Sequence, residues 1–377
     1  MSQWIKTKLG EIVILNYGKA LKAQDRNAGS IPVYSSGGLT GWHNKALINE
    51  QGIIIGRKGT VGKAYLTYGP FWCIDTAYYI LPNPSKYDFV FLFYLLKTLG
   101  LEELNEDSAV PGLNRDTAYS QEILLPSLPE QKAIASVLSS LDDKIELLHR
   151  QNKTLESMAE TLFRQWFDVD SNDEWQEKNV LDIFTLVGGG TPKTSVAEYW
   201  TDEIPWISGG DISAAHQGYL YSTEKSISLA GLQNSSAKLL PKNSTVISAR
   251  GTVGKYALLA RDMAFSQSNY GIVSKIGSYP FFIYLLVGFI VDDLLTAAYG
   301  SVFDTITTRT FESVNLKFPS LNSIEKFNEE ISPIFSKKET NTQQIKTLET
   351  LRDILLPKLM SGEVRVQYAE EKLESVA

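Results

Sequence analysis

Two short segments of this sequence set basic residues on a glycine frame. Arg57-Lys58-Gly59-Thr60-Val61-Gly62-Lys63 is echoed by Arg250-Gly251-Thr252-Val253-Gly254-Lys255, with Gly251 standing 192 residues after Gly59. Glycines let backbone N–H groups approach a polyanion, and Arg or Lys at either end supplies charge. The segments are not nucleotide phosphate loops. That pattern needs four residues between its glycines and a Ser or Thr after the Lys, whereas Gly56 to Gly62 leaves five and the next residues are Ala64 and Tyr256. The same glycines would also serve a hairpin needed only for the fold, and both readings stand at this stage. Two further segments are candidates for the same face. One holds Ser35, Ser36, Gly37, Gly38, Trp42 and His43, answered by Ser208, Gly209, Gly210 and Asp211. The other is Asp75-Thr76-Ala77-Tyr78, answered by Gln267-Ser268-Asn269-Tyr270. Hydroxyls, amides and phenols suit base-edge hydrogen bonding or adaptable phosphate contacts. Arg115, Lys193 and Arg309 complete the candidate DNA-binding set as further cations.

Little else in the chain could do chemistry. The single cysteine, Cys73, excludes an intrachain disulfide and a multi-cysteine zinc site. His43, His149 and His216 lie far apart, without metal-ligand spacing. No GxGxxG follows a strand, and no Asn-Pro-Pro-Tyr-like tetrapeptide for amino-methyl transfer is present. Asp75, Asp211 and Asp304 are assigned surface or turn roles, so the sequence predicts neither a catalytic nor a metal site.

The elements that must position these segments occur twice. Besides the glycine segment, Tyr94-Leu95-Leu96 recurs as Tyr284-Leu285-Leu286, Pro126-Ser127-Leu128 as Pro319-Ser320-Leu321, and Lys153-Thr154-Leu155-Glu156 as Lys346-Thr347-Leu348-Glu349. Ile31-Pro32 aligns with Ile204-Pro205 at the shorter offset of 173, so the second copy carries about 20 extra residues between Gly210 and Gly251. Two modules account for 377 residues, more than one core usually holds. Each module begins with short β-like runs between turns, such as Gly52–Gly56 and Thr245–Ser248, and ends in a helical third. Ser127-x-x-Glu130 and Asn322-x-x-Glu325 are the expected helix starts. The apolar run 280–291 ends at Asp292-Asp293, too short to span a bilayer, and is expected to be a buried helix. Met1-Ser2-Gln3-Trp4-Ile5-Lys6 lacks the apolar core of a leader, so a cytoplasmic location and no membrane partner are expected.

In the first helical third, Leu138, Leu141, Ile145, Leu148, Asn152, Leu155, Ala159, Leu162 and Trp166 keep 4–3 spacing. In the second, Ile331, Ile334, Lys338, Asn341, Ile345, Leu348, Arg352, Leu355 and Leu359 do the same. An amphipathic bundle helix would also give this pattern. Two seams, each interrupted by an Asn, favour pairing with each other as an antiparallel coiled coil. Pairs whose numbers sum to 493 set Asn152 against Asn341, Leu148 against Ile345, Ile145 against Leu348, Leu138 against Leu355 and Leu162 against Ile331. This register places Lys338 and Arg352 opposite Leu155 and Leu141, tolerable only if their charged ends reach water.

Leu125-Pro126-Ser127-Leu128-Pro129-Glu130-Gln131-Lys132-Ala133-Ile134, the heptad helix ending Leu162-Phe163-Arg164-Gln165-Trp166-Phe167, and the C-terminal Leu355-Leu356-Pro357-Lys358-Leu359-Met360-Ser361-Gly362-Glu363 resemble the specificity subunits of type I restriction-modification systems. The second helix start, Leu321-Asn322-Ser323-Ile324-Glu325-Lys326, departs by lacking Pro-Glu-Gln. The resemblance implies an α+β fold with internal pseudo-two-fold duplication. Two mixed α/β target recognition domains with short, twisted sheets (1–125 and 168–318) would be joined and spaced by helices in 126–167 and 319–377. Each domain would read half of a bipartite, asymmetric double-stranded DNA target. The helices would set a spacing of about 50 Å, at 1.5 Å per residue, and dock two methyltransferase subunits. S-adenosylmethionine would belong to those subunits and ATP with Mg²⁺ to restriction/translocase subunits, leaving this chain without a cofactor. Alternatives are the recognition subunit of a type IIB-like system, an enzyme with a hidden site, or a coiled-coil scaffold that never touches DNA.

Charge bears on the choice. The chain carries Lys+Arg 36 against Asp+Glu 43, a net −7, where DNA binders usually show a basic surplus. By segment the net is +1 over 1–125, −1 over 126–167, −5 over 168–318 and −2 over 319–377. The expected reader binds DNA weakly by itself and leaves much of the phosphate contact to recruited subunits.

Overall fold

The run Ile53-Ile54-Ile55, buried on both faces, makes Gly52–Gly56 an interior strand. In the computed structural model, which describes residues 4–104, 112–167, 175–298 and 305–366, this strand lies between Ala77–Ile80 and Ala64–Thr67, with Asn16–Tyr17 at the far edge. A second sheet sets Ile31–Ser35 between Gly38–His43 and Trp72–Cys73. Ile5–Lys8 and Glu122–Leu125 close the module's ends on each other as an antiparallel pair. These elements belong to one compact unit, residues 1–145 and 347–377. Asp304 and residues 1–3 lie outside the described residues.

The other unit, residues 146–346, repeats the plan. Thr245–Ser248, the counterpart of Gly52–Gly56, lies between Asn269–Ser274 and Tyr256–Leu259, with Phe184–Gly188 at the edge. The extra length of this copy builds Lys225–Ile227, Leu239–Leu240 and the short strand Tyr219–Leu220, which joins the main sheet parallel to Tyr256–Leu259. The apolar helix runs further than its sequence suggested, from Pro280 to Ala298. At 19 residues and a mean hydropathy of 2.0 it is long and apolar enough to cross a membrane. The Asp292-Asp293 pair does not end it, and Phe282 to Val287, Ile290 and Leu294 are packed into this unit's core.

The two helical thirds form single helices, Leu128–Trp166 and Leu321–Ser361. The second starts one residue before the expected cap. Ser320, not Asn322, accepts a side-chain bond from the Ser323 N–H at 3.2 Å, so Asn322 is already inside the first turn. Each unit takes part of both helices. In the 146–346 unit, Ala159, Phe163 and Phe167 pack with Ile324, Phe327, Ile331 and Phe335. In the other, Ile134, Ala135 and Leu138 share a core with Leu359 and Met360.

Candidate nucleic-acid interface

In the first module three sequence-distant segments converge on the glycine loop. Thr76 is the hub: its hydroxyl accepts from the Ser36 N–H at 3.3 Å, and its carbonyl accepts from the Arg57 and Lys58 N–H groups at 3.0 Å each. The loop closes on itself through Gly56 N–H to Lys63 O and Gly62 N–H to Gly56 O, both 2.9 Å. Gly59 and Gly62 hold φ of +81° and +76°, conformations that favour glycine. Lys58, Gly59, Thr60 and Lys63 are left exposed, together with Gly37 of the neighbouring turn.

Behind the loop lies a contact with no signal in the sequence. Tyr17, half exposed, pairs with Tyr78 across the sheet. The Arg57 guanidinium carbon lies 4.8 Å from the Tyr17 ring centre and 5.7 Å from that of Tyr78, while one Nη donates to Asp75 O at 3.1 Å. Arg115 lies 5.4 Å from the same Tyr17 ring. Tyr17 thus sits between two arginines, beside a 330 Å³ cleft that Lys58, Asn114 and Asp116 also line. Tyr78 itself is buried and donates to Leu113 O at 3.2 Å; burial raises its phenol from the ordinary value, so it serves as a support.

The second module gathers the corresponding segments. The Ala249 N–H donates to Ser268 O at 2.9 Å, and Thr252 Oγ1 donates to Gly209 O at 3.1 Å. Arg250, Gly251, Lys255 and Gln267 are exposed; Ser268 and Tyr270 are half-buried. Lys193 and Arg309 are exposed on the loop before Ala197–Tyr199 and on the short helix Thr308–Glu312.

Some candidates are committed to the fold. His43 is buried, accepts the Asn27 N–H at Nδ1 (3.1 Å) and meets the Trp72 ring edge-on, while its neighbour Trp42 alternates outward and is 54% exposed. Asn269 is buried, with Nδ2 held by Ser266 Oγ at 2.9 Å and Ile207 O at 3.4 Å. Asp211 and Ser208 cap the helix Gly209–Ala214, and the second Asp211 oxygen accepts the Glu224 N–H at 3.0 Å. These side chains hold the loops in shape through the bonds just given. Cys73 is buried, its thiol pushed up to about 12 by burial, with Asp75 adding to the shift. Burial also lowers the His216 imidazole, with Lys255 contributing. Among the described residues no group of three or more His, Cys, Asp and Glu is placed to hold a metal ion.

The paired helices carry their own polar contacts. Asn341 Nδ2 donates to Asn152 Oδ1 at 3.0 Å, the pair whose numbers sum to 493, and Asn152 Nδ2 continues to Thr342 Oγ1 at 3.0 Å. Lys338 corrects the expectation that its charged end reaches water. It is buried, and its ammonium pairs with Glu156, one position beyond the Leu155 it was set against, and donates to Gln217 O at 3.2 Å. Glu156 accepts in addition from Tyr284 Oη at 2.8 Å. Arg352 similarly meets Asp142, at 2.8 Å, beside Leu141. Leu141, Leu155, Leu162, Ile334, Leu348 and Leu355 are half-buried, and Leu138, Ile145, Leu148, Ile331 and Ile345 are buried.

Two loop-built modules, each followed by a long helix, coincide with what sequence comparison finds. The family described as "Type I restriction modification DNA specificity domain" matches residues 1–157 and again 172–351. The chain belongs to this family. It is 28% identical over 302 residues to the Type I restriction enzyme MjaIX specificity subunit of Methanocaldococcus jannaschii, covering 74% of this chain and 69% of that protein. It is 23% identical to the HindI specificity subunit of Haemophilus influenzae, covering 78% and 81%. Among solved structures, the type I restriction-modification S subunit from M. genitalium superposes with a TM-score of 0.64 at 16% identity, covering 95% of this chain and 96% of that one. That likeness is one of fold. For the family, the duplicated match means that the two loop clusters are two copies of one specificity domain.

Proposed function

We propose that this chain is the non-catalytic DNA-specificity subunit of a type I restriction-modification complex, each module reading one half of a bipartite, asymmetric double-stranded target. The observation that carries this reading is the duplicated specificity domain. In both copies a glycine loop with exposed cations is hydrogen-bonded to a second polar loop, Arg57 and Lys58 to Thr76 in one and Ala249 to Ser268 in the other. Exposed Lys58 and Lys63, or Arg250 and Lys255, would contact phosphates, with neighbouring hydroxyls, amides and Trp42 available to base edges. The helix pair would set the distance between half-sites and dock two methyltransferase subunits. Those subunits would supply S-adenosylmethionine and adenine flipping, and restriction/translocase subunits would supply ATP-driven cleavage. This chain would hold no cofactor.

Co-expression with the cognate modification subunit, followed by methylome sequencing, tests the reading. A bipartite N6-methyladenine motif is the expected result. Exchanging residues 1–125 for those of a relative should change one half of that motif and leave the other. A soluble, assembled complex that adds no methylation would refute the assignment.

A further inference from the structure

The two modules are built on one backbone plan, so their hydrogen bonds identify equivalent positions independently of side chains. Tyr17 pairs with Tyr78, and Gly188 pairs with Tyr270 in the same sheet position. The Arg57 N–H donates to Thr76 O and its carbonyl accepts the Leu113 N–H; the Ala249 N–H donates to Ser268 O and its carbonyl accepts the Ile306 N–H. Two residues further along, Arg115 and Thr308 are the first residues of matching short helices. Tyr17, Arg57 and Arg115 therefore correspond to Gly188, Ala249 and Thr308. No atom lies within 4 Å of a Cβ built on Gly188, and Ala249 is buried. Among the described residues the arginine–tyrosine–arginine stack belongs to the first module alone.

We infer that this stack is a phosphodiester-binding clamp, and that the first module grips the DNA backbone through guanidinium groups held in place before binding. The inference rests on the DNA-specificity reading above. Arg57 is fixed between two phenol rings and a backbone carbonyl. Arg115 shares the Tyr17 ring, and its Nε is buried without a hydrogen-bond partner among the described residues. Among the described residues neither arginine forms an ion pair. Three cations, Arg57, Lys58 and Arg115, face one carboxylate, Asp116, in the 330 Å³ cleft. A guanine edge is neutral and engages one guanidinium; a cleft lined by two guanidiniums and a lysine against one carboxylate fits the phosphate backbone. The second module is not poor in charge, since Arg309 occupies the position of Asp116 and Arg250 that of Lys58, but both are exposed and, among the described residues, no ring stacks on them. Arginines already ordered by stacking lose less freedom on binding than free ones, so the first half-site should hold the larger share of non-specific grip.

The test is binding of the full chain to a random-sequence 40-base-pair duplex and to the duplex bearing its target, from about 50 to 200 mM salt. The variants are Arg57→Gln with Arg115→Gln, and Tyr17→Gly, which recreates the second module's residue. The double variant should lose about tenfold or more in affinity per arginine, equally on both duplexes. Its log–log salt slope should fall by about 2, near 0.9 for each phosphate contact removed. Tyr17→Gly should weaken binding several-fold with the slope unchanged, which separates positioning from charge. Thermal melting confirms that each variant is folded. A folded double variant that binds as tightly as wild type, with the same slope, overturns the clamp. A loss confined to the target duplex also overturns it, by making the arginines base readers. Wild-type protein that binds neither duplex, alone or assembled with its modification subunit, removes the DNA reading together with the clamp.

Discussion

Replacing Glu156 by alanine is expected to destabilise the chain by about 3–5 kcal/mol, because it strips the partner from a buried charge. The Lys338 side chain is 3% exposed and lies against the Tyr284 and Phe335 rings, with Glu156 and the Gln217 carbonyl as its polar contacts. Without Glu156 the ammonium must stay buried uncompensated or give up its proton. Replacing both residues, Lys338→Met with Glu156→Leu, should be near neutral or stabilising by about 1–4 kcal/mol, since the pair's desolvation is removed with its attraction. Denaturant midpoints of the single and double variants decide this; a single variant as stable as wild type would show that the pair is not closed in solution. The pH dependence follows from the same burial, which lowers the Lys338 ammonium from its ordinary value of 10.5. Just below that value the unfolded chain binds more protons than the native one, so this group makes stability rise with pH on the alkaline side of neutrality, where the charge opposite Glu156 is given up. Buried Tyr94, Tyr219 and Tyr284 act oppositely at the alkaline end. Their phenols are raised by burial, so the stability they contribute is present below the ordinary tyrosine value and is lost above it. Lys338→Met should abolish the rise and leave the alkaline fall.

The seam explains what one-dimensional spacing can and cannot reveal. A heptad places residues on a stripe, so Asn152 and Asn341, both on the stripe, are matched by arithmetic alone. Glu156 lies one position off it, and a lysine long enough to reach around the helix finds that carboxylate and not the leucine opposite. The same limit hid Tyr17. Its arginine partners are 40 and 98 residues away, brought to it by the pairing of Asn16–Tyr17 with Ala77–Ile80 and by the return of the chain at Leu113. The glycine loops were legible because φ and close approach are local demands. His43 and Asn269 show that a polar residue in a Gly-rich loop has the same composition whether it faces solvent or holds the loop together. Only the side-chain direction, set by strand alternation for His43 and by the Ser266–Asn269 turn, distinguishes the two.

Gly62→Ala should be far more damaging than Gly254→Ala, although both glycines end the same Gly-Thr-Val-Gly motif. Both have positive φ, +76° and +80°, so alanine at either meets a backbone penalty of about 1–3 kcal/mol. The surroundings then separate them. A Cβ on Gly62 would lie 2.3 Å from the Glu102 nitrogen and the Leu101 carbonyl carbon, main-chain atoms that can yield only if the segment moves. On Gly254 the nearest atoms are the Leu295 methyl carbons, at 2.9 Å and beyond, which a rotamer change can withdraw. The first-module variant should therefore lose at least about 3 kcal/mol and the second about 1–2. Melting of both variants, alongside Gly251→Ala, whose Cβ meets nothing within 4 Å, measures the difference. Equal losses at Gly62 and Gly254 would mean that φ alone governs the motif. If instead they differ as expected, Gly62→Ala should dislodge Lys58 and Lys63 and erase specificity for one half of the target. Gly254→Ala should leave the other half readable, so that one sequence motif would tolerate change in one module and not in its copy.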